Sequence, residues 1–169
     1  MGFKTPEEKF SYHYTEMMKV CCDQEWGDPF SYARAKEIYM ANHLGHHVAP
    51  TLSGPDGYNE DNQPVEYKST IGKSIKGTYN GISVQPSWSE QESYLRNKKL
   101  GCYPEHYIAR FSRETAEIRE LWMLTGAKVC DILVPKLDKK FHTMGNKQDP
   151  RLGTNLTKKE IYEHGKRIK

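Results

Sequence analysis

The chain has 169 residues with 36% hydrophobic and 28% charged residues, which fits one domain that can bury its own core and is not the composition of a disordered chain. No apolar run approaches the roughly eighteen residues that a membrane-spanning helix needs. The N-terminal residues lack the apolar segment of a secretory signal, and the four cysteines show no C-x-x-C spacing, so we expect a cytoplasmic protein with reduced thiols.

The net charge of +3 is distributed unevenly along the chain. Residues 136–169 carry ten Lys or Arg against four Asp or Glu, whereas residues 1–135 have a net charge of −3. A basic segment favours a polyanionic partner because neutralised phosphates release counterions. On charge alone, a merely solvated basic surface is an equally good interpretation.

Helices are predicted first in chain order. Thr5 to Glu8 reads as a capping box, and apolar residues follow at helical spacing, which is typical of a core or dimer contact: Phe10, Tyr14, Met17 and Cys21. A second helix is expected to begin at Asp28-Pro29 and to end at Gly45.

Strands dominate the middle of the chain. The predicted strands are 46–52, 65–71, 103–111, 116–124 and 128–134, with a tight turn at Asn80-Gly81 inside a further β segment. Two more capping boxes, at Ser87 and Thr157, predict a helix up to Gly101 and a short C-terminal helix. This order predicts a mixed α/β (α+β) domain with one central mixed β-sheet flanked by helices.

The segment with the most chemical content contains Asp56, Glu66 and Lys68. Asp56 lies in a turn-like stretch, and Glu66 and Lys68 lie on a predicted strand ten residues later. Because strand side chains alternate, Glu66 and Lys68 point to one face, and a loop carrying Asp56 can fold back beside them. We therefore expect two carboxylates and one ammonium to converge.

Such a set predicts phosphodiester hydrolysis. Asp56 and Glu66 suit Mg²⁺, which takes oxygen ligands, polarises the phosphoryl group and lowers the pKa of a bound water. Lys68 can orient that water and stabilise charge on the phosphate. Each part also has an ordinary interpretation, since Pro-Asp-Gly is a common turn and Glu66 with Lys68 can be a surface ion pair.

Pro55-Asp56 and Glu66-Tyr67-Lys68 together resemble the PD-(D/E)xK signature of restriction-endonuclease-like nucleases. The similarity extends to the small PvuII-type type II restriction endonucleases through three further stretches: 35–45, 47–50 and 163–166. Tyr94 resembles a tyrosine near their active site.

This resemblance implies a restriction-endonuclease-like core and Mg²⁺-dependent cleavage of double-stranded DNA that leaves 5′-phosphate ends. It implies a homodimer whose contact comes from the N-terminal helices, about residues 5–44, with a catalytic core at 46–135 and a basic C-terminal segment at 136–169. Tyr94 joins Asp56, Glu66 and Lys68 as a candidate catalytic residue.

The strand after Lys68 departs from this family, because residues 77–83 contain no histidine where the family reads bases from one. Asn80 and Ser83 are the candidate base contacts instead, since asparagine can pair bidentately with adenine. Further candidate DNA contacts are Lys73, Lys76, Arg96, Lys98, Lys99, Gln148, Arg151 and Asn155.

Two other functions stay open at this point. The same core serves phage, repair and junction-resolving nucleases with weak sequence specificity. A DNA-binding protein that hydrolyses nothing would also carry the basic C-terminal segment.

Overall fold

The computed structural model describes residues 2–51, 53–144 and 150–169. Its helices are α1 (Pro6–Asp23), α2 (Arg34–Leu44), α3 (Trp88–Tyr94, continued by a π-helical turn at Leu95–Lys99), α4 (Gly126–Thr143) and α5 (Lys158–His164). Its strands are β1 (His47–Val48), β2 (Gly57–Tyr58), β3 (Pro64–Thr70), β4 (Gly77–Ile82), β5 (Glu105–Phe111), β6 (Ile118–Thr125), β7 (Leu152–Leu156) and β8 (Lys166–Arg167).

Six strands form a mixed central sheet in the order β1-β2-β3-β5-β6-β8. The pairing of β3 with β5 is parallel, and the neighbouring pairs are antiparallel. Strands β4 and β7 pair separately as an antiparallel two-stranded unit, which we call the β4–β7 ribbon.

Alternation along the strands separates two hydrophobic cores. Residues at alternate positions of β5, Tyr107, Ala109 and Phe111, share one core with Met40 of α2. Between them Ile108 joins the other core, which contains the buried residues of α4 and of the β4–β7 ribbon. The predicted mixed α/β domain, with a central mixed sheet flanked by helices, is confirmed.

The predicted strand at 128–134 is wrong, because these residues lie within α4. Thr125 caps this helix by accepting a hydrogen bond from the N–H of Lys128 (3.3 Å), and Val129, Leu133 and Leu137 are buried at helical spacing. An apolar run of this length does not distinguish a buried strand from a helix by itself. The helix also continues past residue 135, so the proposed start of the basic segment falls inside it.

The second helix begins at Arg34 rather than at Asp28. The Asp28 carboxylate instead accepts hydrogen bonds from the Phe30 N–H (2.8 Å) and the Ser31 hydroxyl (3.0 Å), which closes a turn before the helix. Gly45 ends α2 in the left-handed region, at φ 72°, as expected.

The apolar stripe of α1 is only partly buried. Cys21 is buried, whereas Phe10, Tyr14 and Met17 are exposed. No helix in the described ranges is long and apolar enough to cross a membrane.

Candidate active site

Asp56 lies directly before β2, and its hydrogen bonds place it beside β3. Its backbone N–H donates to the carbonyl of Val65 (3.1 Å), and its carboxylate Oδ2 accepts from the N–H of Tyr67 (2.7 Å). These two bonds bracket Glu66, so the turn aspartate and the strand glutamate lie next to each other.

Gly57 explains how the chain approaches β3 so closely at this point. A Cβ atom at residue 57 would lie 2.8 Å from the carbonyl oxygen of His47 and 2.9 Å from the hydroxyl of Tyr67. Only glycine fits between β1 and the Tyr67 side chain, and the loop can therefore deliver Asp56 to the sheet.

Glu66 and Lys68 lie on the same face of β3, as their spacing predicts. The Lys68 ammonium forms an ion pair with Glu66 Oε1 and donates a hydrogen bond to the Tyr67 carbonyl (3.1 Å). The Glu66 and Lys68 side chains are 12% and 20% exposed, so this is a largely buried pair with limited access to solvent. The expected convergence of Asp56, Glu66 and Lys68 is observed, and their roles stay predictions.

Burial and the neighbouring Glu66 charge raise the pKa of Asp56 to about 7, against the opposing influence of Lys68. Burial by itself would lower the pKa of Lys68, but the Glu66 and Asp56 carboxylates outweigh it, so that the pKa of the ammonium is raised. Two acids and one cation thus share a poorly solvated site in which one acid holds its proton near neutral pH.

Glu37 of α2 belongs to the same electrostatic cluster and was not predicted from the sequence. Its charge contributes to the raised pKa values of both Asp56 and Lys68. Burial raises the pKa of Glu37 itself, against the effect of Arg34, which lies 3.4 Å away. No local signal marks this residue, because its proximity to β3 depends on how α2 packs on the sheet.

The donor set fits magnesium. Asp56 Oδ1 and Glu66 Oε2 have no hydrogen-bond partner among the described residues, whereas the other oxygen of each carboxylate is engaged. Within the described ranges, no three His, Cys, Asp or Glu side chains lie close enough together to hold a metal. Two carboxylates nevertheless suit Mg²⁺, which keeps several waters and takes few protein ligands when phosphate oxygens are present.

Tyr94, the remaining candidate catalytic residue, comes from a helix rather than from β2 or β3. It lies at the end of α3, packs partly buried against the core that contains α4, and lines a polar pocket with Gln85 and Lys98. Among the described residues, no hydrogen bond or ring contact joins Tyr94 to Asp56, Glu66 or Lys68. The role of Tyr94 near the active site, which the resemblance implies, stays a prediction.

Four candidate DNA contacts lie on or directly beside the strands of the β4–β7 ribbon although they come from distant parts of the chain. They are Asn80, Ser83, Arg151 and Asn155, and all four are exposed. Thr78 pairs with Asn155 and Tyr79 with Thr154, so the outward residues of both strands share a surface. Gln148, the remaining candidate in this region, lies outside the described residues.

Candidate phosphate contacts lie elsewhere on the surface. Lys73 and Lys76 are exposed in the loop between β3 and β4, directly after the strand that carries Lys68. In the π-helical turn, Lys98 is exposed, Lys99 is partly buried, and Arg96 is engaged in an ion pair with Glu92 (2.9 Å).

Part of the basic C-terminal segment has a structural role. Lys136 of α4 bonds to Glu160 (2.6 Å) and to the carbonyl of Asn155 (2.9 Å), and Lys140 donates to the carbonyl of Gly153. These two lysines attach β7 to α4, so not all of the positive charge is available to a partner.

No protein-family model and no curated protein matches this chain. The resemblance to restriction-endonuclease-like nucleases therefore stays a prediction from the motif and its neighbouring stretches.

Proposed function

We propose that this protein is a magnesium-dependent endonuclease that hydrolyses phosphodiester bonds of double-stranded DNA and leaves 5′-phosphate ends, with a type II restriction-like core. The observation that carries the proposal is the position of Asp56 beside Glu66. Asp56 forms hydrogen bonds with Val65 and Tyr67, the two neighbours of Glu66 in β3, and the Lys68 ammonium forms an ion pair with Glu66.

Asp56 and Glu66 would hold Mg²⁺ through the carboxylate oxygens that carry no other bond. The bound ion would supply a polarised phosphoryl group and a water of lowered pKa. Lys68 is charged, because the surrounding carboxylates raise its pKa, so it acts as a hydrogen-bond donor rather than as a base. In this position it orients the attacking water and balances negative charge on the phosphate.

The β4–β7 ribbon supports a DNA substrate over a small phosphodiester. A two-stranded antiparallel ribbon fits the major groove of B-DNA, and exposed Asn80 and Asn155 can reach base edges from it. Lys73 and Lys76 lie between this ribbon and the strand of the catalytic lysine, where phosphates would run.

We further propose that the protein is a homodimer through α1 and α2. Phe10 and Val20 of α1 are 70% and 50% exposed, and Tyr14 and Met17 lie between them on the same helix. An exposed apolar stripe of this length is typical of an interface. A two-fold dimer would present one cluster to each strand of a palindromic site.

The decisive experiment is the cleavage of supercoiled plasmid by the purified protein with Mg²⁺ and with EDTA. We expect metal-dependent cleavage that Lys68→Ala reduces by about 100-fold or more, since one preorganised charged group is commonly worth that much. Lys128→Ala, which removes an exposed lysine paired with Asp131 on α4, should cleave like the wild type. Equal cleavage by Lys68→Ala and the wild type would refute the assignment.

The products and the binding data separate the alternatives. Discrete fragments indicate a sequence-specific enzyme, a smear indicates weak specificity, and preference for branched DNA indicates a junction or repair nuclease. A DNA-binding protein without hydrolysis would bind DNA in a salt-sensitive manner, independently of Mg²⁺, and would keep its affinity after Asp56→Ala.

A further inference from the structure

Beneath the catalytic lysine lies an aromatic ring on a different strand. The Lys68 ammonium is 5.3 Å from the centroid of the Tyr79 ring, within the range of a cation–π interaction. Tyr79 is only 4% exposed, so this contact is made away from bulk water, where it is strongest.

The Tyr79 ring is itself held by a buried histidine. The Tyr79 hydroxyl lies 3.0 Å from His106 Nδ1, and His106 Nε2 lies 2.9 Å from the Leu100 carbonyl oxygen. A carbonyl can only accept, so Nε2 carries the hydrogen and Nδ1 accepts from the Tyr79 hydroxyl. The chain of bonds fixes both the histidine tautomer and the direction of the tyrosine.

His106 keeps this arrangement over the pH range of ordinary assays. It is fully buried on the face of the sheet that carries Glu66 and Lys68, and burial lowers its pKa to about 4. Among the groups around it, the Glu66 charge raises the pKa of His106 and the Lys68 charge lowers it, whereas Tyr79 and, in edge contact, Tyr103 are neutral near pH 7, and burial remains the largest influence. The neutral imidazole therefore remains available as an acceptor.

We propose that Tyr79, anchored by His106, is a positioning residue that holds the Lys68 ammonium at the scissile phosphate. Glu66 also contacts Lys68, but Glu66 is a proposed metal ligand, so its charge is shared once a cation binds. The Tyr79 ring is not a proposed metal ligand, so its contact with Lys68 is not shared with a bound Mg²⁺ ion. This inference rests on the proposed function for its catalytic consequence, although not for the contact itself.

Two substitutions at residue 79 separate the ring from its anchor. Tyr79→Leu keeps an apolar side chain and removes the ring, whereas Tyr79→Phe keeps the ring and loses only the bond to His106. Tyr107→Leu is the matched control, because Tyr107 is 7% exposed but lies on the opposite face of the sheet.

The contact is tested first without any catalysis. In metal-free protein with ¹³C-labelled lysine, the Lys68 side-chain resonance, assigned by its loss in Lys68→Ala, should be shifted upfield by the Tyr79 ring current. Tyr79→Leu should abolish that shift, Tyr79→Phe should leave part of it, and Tyr107→Leu should leave it intact. An unchanged shift in Tyr79→Leu would overturn the proposal.

Kinetics then test the consequence of the contact. We expect Tyr79→Leu to lower kcat for plasmid cleavage by roughly 2- to 30-fold, the range that a cation–π contact commonly provides, with KM unchanged. Tyr79→Phe should fall between Tyr79→Leu and the wild type. A decrease in kcat that is matched by an increase in KM of similar size would indicate a structural role only and refute positioning. The same conclusion would follow if Tyr107→Leu reproduced the decrease in kcat. Absence of cleavage by the wild type would refute the proposed nuclease, while the resonance shift would still decide whether Tyr79 holds Lys68.

Discussion

At the scale of single residues, Asp56 is a buried carboxyl whose ionisation costs stability. Burial and Glu66 raise its pKa from 3.8 to about 7, so between these pH values the folded state keeps a proton that the unfolded state has lost. The contribution of Asp56 to the free energy of unfolding therefore decreases as pH rises from about 4 to 7.

Asp56→Asn should accordingly stabilise the metal-free protein. Asparagine cannot ionise, and its amide oxygen can still accept the Tyr67 N–H, so we expect a gain on the order of 1–4 kcal/mol at pH 8 that vanishes below pH 4. Urea unfolding in EDTA measures this difference in the free energy of unfolding. His106 contributes a pH dependence of opposite sign, but this contribution is the same in both proteins and cancels in the difference. Mg²⁺ should stabilise the wild type but not Asp56→Asn. Equal stability of the two proteins at pH 8 in EDTA would contradict the electrostatic account of the site.

Gly57 lies where β2 passes too close to β1 and Tyr67 to accept a side chain. Because a Cβ at residue 57 would meet the backbone carbonyl of His47 at 2.8 Å, Gly57→Ala must displace β2 from β1 or from Tyr67. We expect a loss of about 1–3 kcal/mol in the free energy of unfolding, together with reduced Mg²⁺ stabilisation, because Asp56 moves with the strand. Gly2→Ala, where no atom lies within 4 Å of the added Cβ, is the control that should change neither quantity.

At the scale of elements, the β4–β7 ribbon brings together residues that are far apart in the sequence. Gly153 of β7 lies under the Asn80 side chain, and a Cβ there would be 2.6 Å from Asn80 Oδ1. That atom is the end of an exposed side chain, whereas the nearest backbone atom, the Tyr79 carbonyl oxygen, would be 3.3 Å away, so Gly153→Ala should mainly move the Asn80 amide.

If Asn80 reads a base, Gly153→Ala should weaken the binding of cleavable duplex DNA by about tenfold, within the range of one bidentate base contact. The measurement is the Kd without Mg²⁺, compared between the target duplex and unrelated DNA. Asn80→Ala supplies the control, because Gly153→Ala should cause no further loss in that background. If the two substitutions weakened DNA binding additively in the double variant, the effect of Gly153→Ala would not act through Asn80.

Helix caps and short strands are the elements that the sequence could predict. The caps at Thr5, Ser87 and Thr157 and the strand that carries Glu66 and Lys68 depend on neighbouring residues, and all of them were predicted. Helix α4 was not, because an apolar run fits either a helix or a strand until its packing partner is known.

Contacts between segments that are distant in the sequence could not be predicted from it either. The register of Thr78 with Asn155, the approach of Glu37 to the carboxylates and the ring of Tyr79 under Lys68 all depend on tertiary packing. The sequence therefore predicted which residue types meet around Asp56, but not what supports them.

At the scale of the whole molecule, each chain contributes one Asp56–Glu66–Lys68 cluster, and in the proposed nuclease one cluster would act on one DNA strand at a time. Under this proposal, cleavage of both strands in a single encounter would need two copies related by a two-fold axis. The exposed stripe of α1 lies on a different element from the ribbon, so in a dimer formed through α1 both surfaces can be used together.

The double substitution Met17→Asp with Val20→Asp should break this contact, because it would bury unpaired charges where two apolar stripes meet. We expect a dimer for the wild type and a monomer for the variant in analytical ultracentrifugation, and a change from linear to nicked plasmid among the early products. Ile168→Asp is the control, since Ile168 is 41% exposed, similar to Met17 at 43%, but lies at the C-terminal edge of the chain. A wild type that sediments as a monomer yet linearises plasmid directly would show that two-strand cleavage does not require the α1 contact.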